Sequence, residues 1–246
     1  MRRKVRHELK QNELLVMLDQ VFTWSSENSR TLKTGLVVAV IAAAVMGGAY
    51  VYQHGRGQTA NALLANAMSK YHGVVQENTI VAASQEGTTF GSVEERYRAA
   101  LEAFQAVTQQ YGSLSQGREA RYYSALCQVG LGEIEDAEAL LEEVLRERGD
   151  LLYSLASQTL ATVKSQKSDY AGAAEIYRAL VDDPQDPLPK DQLLFALAQQ
   201  LEKDDRLEEA RQTYQRFLEE YPQSPLRTEA QQRNELLELR LSLSSA

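Results

Sequence analysis

Residues Arg121–Leu145 read RYYSALCQVGLGEIEDAEALLEEVL. The segment reads as a helix, a turn at Leu131-Gly132, and a second helix. Within the second helix Ala137 is preceded at three residues by Ile134. It is followed at four and seven residues by Leu141 and Val144. The same set recurs around Ala100, Ala173 and Ala210, so that the four alanines stand 37, 36 and 37 residues apart. Tyr97, Tyr170 and Leu207 precede the other three alanines. Phe104, Tyr177 and Tyr214 follow one turn later, and Val107, Leu180 and Phe217 a turn after that. Four matching copies at a near-constant period are the signature of a repeat architecture. One helix pair cannot bury its own apolar stripe. Stacked pairs can, with the small alanine letting two helices approach and the larger residue filling the gap to the next pair.

The pattern resembles the tetratricopeptide repeat. The fourth copy, LLFALAQQLEKDDRLEEARQTYQRFLEEYP, ends at Pro222, and the third has Ser168-Asp169-Tyr170 at its inter-helix turn. The bulky first-helix position of that family falls on Arg121, Ser157 and Leu194, so two of three copies depart from it. The longer period implies extended inter-repeat turns, which Asp182-Asp183-Pro184 and Pro187-Leu188-Pro189 supply. The resemblance implies an all-α solenoid of about four helix pairs over residues 58–246, with a polypeptide-binding groove along the first helices. Carried over by position, the groove residues are Tyr122, Leu126 and Val129, then Gln158, Thr162 and Ser165, then Phe195, Gln199 and Glu202. Simple inter-helix packing is the competing reading for Tyr122, Leu126 and Phe195. The Lys/Asn/Arg set with which some members clamp a C-terminal carboxylate is missing from these positions.

Flanking elements follow from local chemistry. Ser92 and Glu95 have capping-box spacing and predict a helix from Val93. Residues 78–92, NTIVAASQEGTTFGS, lack a helical period and read as a loop. Ala60–Gln76 reads as a helix with Leu63, Leu64, Ala67, Met68 and Tyr71 on one face. Ser224-Pro225 reads as an N-cap and first helical position. A polar-faced capping helix over 224–241 should follow, with the last five residues frayed.

Upstream lies Gly35–Tyr52, GLVVAVIAAAVMGGAYVY, 18 residues without a charge. As a helix it is about 27 Å long, close to the hydrocarbon thickness of a bilayer. It predicts a single transmembrane helix, loosened at Gly55 and Gly57 where the chain leaves the membrane. Gly35, Ala39, Ala43 and Gly47 recur every four residues and make a small-residue stripe on which another membrane helix could pack. Residues 1–34 carry 7 Lys+Arg against 4 Asp+Glu, net +3, whereas residues 53–246 carry 19 against 30, net −11. The basic arm favours the cytoplasmic side and leaves the repeats outside. Within the arm, Leu14, Leu15, Leu18, Val21 and Phe22 mark an amphipathic helix over 5–24 that would lie on the membrane or touch a partner. A cleaved signal peptide fits poorly, because over 30 residues precede the apolar run.

Chemistry is harder to find. His7, His54 and His72 are scattered, Gly47-Gly48 lies inside the apolar run, and no ligand spacing for a metal or phosphate loop occurs. The acidic run Glu133–Glu143 reads as a solvated helix face and Cys127, the single cysteine, as a small core residue. The expectation is a protein that is not an enzyme, with no cofactor, metal, small-molecule substrate or nucleic-acid partner, the last because a domain this acidic repels phosphate. Arm, span and extracytoplasmic repeats together resemble the ancillary SecYEG translocon subunit family of bacterial inner membranes. That resemblance implies a non-enzymatic scaffold whose partners are translocon subunits, periplasmic chaperones or secreted chains. Glu220–Pro225 also resembles repeats of a cell-division coordinator and of outer-membrane assembly lipoproteins. The alternative is therefore a periplasmic scaffold for division or envelope assembly.

Overall fold

The four register alanines, Ala100, Ala137, Ala173 and Ala210, have no exposed surface, and the residues one and two turns after each are buried with them. The repeat reading is thus the packing pattern of the protein. The structure, a computed structural model, describes residues 29–75 and 88–244. The expected arm helix over 5–24 lies outside the described residues, as do residues 78–87 of the expected loop.

Nine helices form among the described residues: α1 (Ser29–Tyr71), α2 (Val93–Tyr111), α3 (Ser115–Leu131), α4 (Ile134–Val144), α5 (Leu151–Gln166), α6 (Tyr170–Asp182), α7 (Lys190–Lys203), α8 (Leu207–Glu220) and α9 (Arg227–Ser244). From α2 onward each helix packs on its successor, and α3 also touches α5. The alanines lie on α2, α4, α6 and α8, so α3, α5 and α7 are first helices of successive pairs. The core is a row of three clusters. Leu64, Ala67, Phe104 and Cys127 belong to the first, Tyr122, Leu141 and Leu160 to the second, and Tyr177, Phe195, Tyr214, Phe217 and Leu237 to the third.

The chain divides into two units at Arg56/Gly57, and the division falls within α1. In the first unit Val38, Val40, Ile41, Val45, Met46 and Val51 are 57–69% exposed on this helix. Gly35, Ala39, Ala43 and Gly47 are exposed as well. Among the described residues no helix is long and apolar enough to cross a membrane, so they do not support the expected transmembrane helix over 35–52. The side chains of Leu36, Val37, Ala49, Tyr50 and Tyr52 lie outside the described ones.

Several boundaries differ from expectation. α1 does not break at Gly55 or Gly57. Each glycine costs about 1 kcal/mol of helix propensity, which is too little to stop a helix flanked by good formers. α1 instead ends at Tyr71, five residues early. Gly73 then passes so close to Phe90 that any Cβ there would lie 2.4 Å from the Phe90 ring. A two-residue parallel pair, β1 (Val74–Val75) with β2 (Thr89–Phe90), closes the ends of the expected loop. The predicted cap at Ser92 is present, with Glu95 N–H donating to Ser92 Oγ at 3.0 Å. The Glu95 carboxylate accepts from Gly91 N–H rather than from Ser92. α9 starts at Arg227, not Ser224, because Tyr221–Leu226 form turns and the Ser224 hydroxyl donates to Asp191 at 2.7 Å. The outer face of α9 is not polar: Leu236, Leu239 and Leu243 are 58–72% exposed. Its helix runs to Ser244, three residues beyond the expected end at 241.

The turn inside each pair needs one left-handed residue. Gly132 (φ 78°), Ser168 (φ 64°) and Asp205 (φ 59°) supply it at equivalent places. The following N–H closes on the carbonyl five residues back, as in Glu133 to Gln128, Asp169 to Lys164 and Arg206 to Leu201. Only glycine takes this conformation without strain. Ser168→Gly is therefore expected to stabilise the protein by about 0.5–1 kcal/mol, read as a higher urea midpoint with unchanged m. A lowered midpoint would mean that the serine hydroxyl contributes more than the strain removed.

Candidate peptide groove

The nine groove candidates lie three each on α3, α5 and α7, at one-turn spacing that puts each trio on one face of its helix. Tyr122 and Phe195 are buried at 8% and 6% exposure, so each offers only an edge. Phe195 packs edge-on to Tyr214, ring centroids 5.7 Å apart. Leu126, Val129, Gln158, Ser165, Gln199 and Glu202 are half-buried, and Thr162 is exposed. Thr162 donates back to the Gln158 carbonyl, a bond within its own helix. Lys203 donates to Ser165 Oγ at 3.4 Å, linking α7 to α5.

Two depressions take in some of these residues. One, of about 470 Å³, lies between α3 and α5 and takes Tyr122 together with Tyr123, Leu152 and Leu155. Its rim is charged, with Arg118, Glu119, Glu147 and Asp150. The other, of about 330 Å³, takes Gln199 and Glu202 with Lys203, Arg233 and Arg240. There Glu202 Oε2 accepts from Arg233 at 3.1 Å and from the Tyr214 hydroxyl at 3.2 Å. Burial first, and the Glu202 carboxylate second, push the Tyr214 phenol up, so it stays a donor. Two cations of this second depression are thus already paired, Arg233 with Glu202 and Arg240 with Asp205 at 3.0 Å.

A polar lock, which position-by-position reading missed, joins successive repeats. Arg118 is 7% exposed and grips the Asp150 carboxylate with Nη1 at 2.5 Å and Nη2 at 3.2 Å. It also donates to the Val144 and Glu147 carbonyls at 3.2 and 2.6 Å, capping the end of α4. Asp150 in turn is the N-cap of α5 and accepts from Tyr153 N–H. One repeat on, the Ser154 hydroxyl donates to Asp186 at 2.6 Å. A further repeat on, the Ser224 hydroxyl donates to Asp191. Arg118, Ser154 and Asp191 keep the 36- and 37-residue spacing of the alanines, so extending the register to polar positions is the signal that finds the lock.

Other charges are structural too. Glu138, from the acidic run, accepts from Lys167 at 2.6 Å and Lys164 at 3.2 Å across the α4–α5 junction. Its carboxyl is held below the usual range by those bonds, Lys167 first. That run is not merely a solvated face. Cys127 is fully buried, and desolvation pushes its thiol up to about 12, which keeps it unreactive at neutral pH.

The tetratricopeptide repeat family model matches residues 94–151 and 159–225, together about half of the chain. This chain is a member of the tetratricopeptide repeat family. Its repeats form the helical scaffold for protein–protein interaction that the family builds. Similar solved structures include TPR-like repeats of a protein described as a kinesin light chain of Podosopora anserina, 14% identical with a TM-score of 0.52. That match covers 60% of this chain and 80% of the other and shows the shared repeat fold. MamA MSR-1 C2 is 18% identical with a TM-score of 0.41, covering 61% and 90%. A Rap conjugation gene regulator of plasmid pLS20, in complex with the Phr* peptide, is 17% identical with a TM-score of 0.40, covering 52% and 38%. No curated protein matches the sequence.

Proposed function

We propose that this protein is a membrane-anchored, non-enzymatic scaffold that holds polypeptide partners in the groove of an extracytoplasmic tetratricopeptide stack. The observation that carries the anchor is the exposure of Val38, Val40, Ile41, Val45, Met46 and Val51 around one continuous helix. Water does not tolerate an apolar surface on every side of a helix, whereas a bilayer requires it. The basic arm sets the N-terminus inside, in a bacterial inner membrane, and the repeats outside. Gly35, Ala39, Ala43 and Gly47 give the span a face for a second membrane helix. The partners are translocon subunits, periplasmic chaperones or emerging secreted chains, the reading that the arm–span–repeat arrangement supports.

Two measurements on intact membranes test this reading. The full chain should resist alkaline carbonate extraction, while protease added to spheroplasts digests the repeats and spares the arm. Crosslinking with mass spectrometry should then recover translocon and chaperone subunits, and Ala39→Leu/Ala43→Leu should reduce that recovery without releasing the protein. A carbonate-soluble chain would remove the anchor. Recovery of wall synthases or division proteins alone would favour an envelope-assembly scaffold instead.

A further inference from the structure

We propose that the cleft between α3 and α5 selects polypeptide segments that present a large apolar side chain next to a lysine or arginine. The proposal deepens the groove reading and rests on it. The floor is apolar, made by Tyr122, Tyr123, Leu152 and Leu155. It is also rigid. Tyr123 stacks on Phe104 with centroids 5.4 Å apart and planes 16° from parallel, and Tyr71 meets it edge-on at 5.6 Å. Tyr122 leans on Tyr123 at 5.3 Å, with its hydroxyl 3.5 Å from Thr159 Oγ1 of α5. These rings are fixed before a ligand arrives, so an apolar anchor binds without ordering its own pocket.

The rim decides the charge of the ligand. Arg118 and Asp150 neutralise one another through their two-point bond. Two carboxylates remain. Glu147 is 3.8 Å from Arg118 with a side chain 75% exposed. Glu119 makes no ion pair among the described residues. A cation beside the anchor meets both of them, and an acidic neighbour is repelled. The net −11 of residues 53–246 draws basic segments from a distance in the same sense. The half-buried Leu126 and Gln158 continue the same face of α3 and α5, so a chain can extend beyond the cleft.

Fluorescence anisotropy with the full chain in nanodiscs tests the inference. Three labelled Gly/Ser peptides carry Phe-Leu-Lys-Arg, Phe-Leu-Glu-Asp or Ser-Ser-Lys-Arg at their centres. The first should bind about tenfold or more tighter than either other and weaken with salt. Glu119→Gln/Glu147→Gln should erase the preference for the first peptide over Phe-Leu-Glu-Asp while leaving the thermal melt nearly unchanged. Equal affinity for the first two peptides, or an unaltered preference in the double variant, overturns the inference and leaves peptide binding intact. Failure of all three to bind would instead overturn the groove reading itself.

Discussion

Arg118→Ala is expected to lower stability by about 2–4 kcal/mol, measured as urea unfolding of the full chain in detergent micelles. The loss has three parts. A guanidinium buried to 7% exposure disappears, and the Val144 and Glu147 carbonyls at the end of α4 lose their donor. The N-cap of α5, Asp150, loses its two-point partner. The figure lies at or below the usual range for a broken buried pair because the Asp150 side chain is 51% exposed and water can replace part of what is lost. Arg118→Lys should restore little, since one ammonium cannot hold both carboxylate oxygens and two carbonyls at once. Acid dependence gives a second readout. Asp150 is held below the usual carboxylate range by its Arg118 bonds first, and also by Tyr153 N–H. A depressed group adds stability above its unfolded pKa, near 4, and that stability is lost as pH falls through the lower folded value. Below about pH 4 the wild-type chain should therefore lose stability more steeply than Arg118→Ala. The part contributed by Glu138 and its two lysines persists in both. Identical acid limbs would show that Asp150 is not coupled to Arg118.

Features that repeat within one helix were legible, and features that join distant helices were not. The alanine register, the residues one and two turns after it, and the Ser92 cap all follow from spacing on a single element, and the structure buries or bonds each of them. Ser168 was legible as part of an inter-helix turn, but its left-handed backbone was not. By contrast, Arg118 and Asp150 stand 32 residues apart and meet only because one repeat stacks on the next. The same limit governs Tyr122 and Phe195. Position in the repeat puts them on the first helices, but how little of each remains exposed depends on packing partners such as Thr159 beside Tyr122 and the Tyr214 and Phe217 rings beside Phe195, which come from later helices of the stack. Leu236, Leu239 and Leu243 were hidden by the expectation that a terminal helix turns a polar face outward. The paired strands at 74–75 and 89–90 are too short to carry any periodic signal.

Phe217→Ala should cost about 3–5 kcal/mol, through lost transfer free energy and the cavity left behind. The ring is fully buried, 5.7 Å from Phe195 and 5.9 Å from Tyr221, in the cluster that also holds Leu193, Leu201 and Leu237. How that loss is distributed tests the architecture. In a stack where each repeat touches only its neighbours, the damage falls on the α7–α8 and α8–α9 interfaces. Hydrogen exchange should then show residues 190–244 opening first, while amides around Phe104 keep their protection. The α3–α5 cleft lies a full repeat away from α7, and its rings belong to the first two clusters. Affinity for an apolar–basic peptide should therefore change by less than about threefold, within the range of coupling between distant sites. Phe104→Ala, which removes the ring under Tyr123, should abolish that affinity at a comparable cost in stability. If Phe217→Ala instead lowers one sharp transition for every amide and weakens the peptide equally, the repeats fold and bind as a single cooperative body rather than as a chain of neighbours.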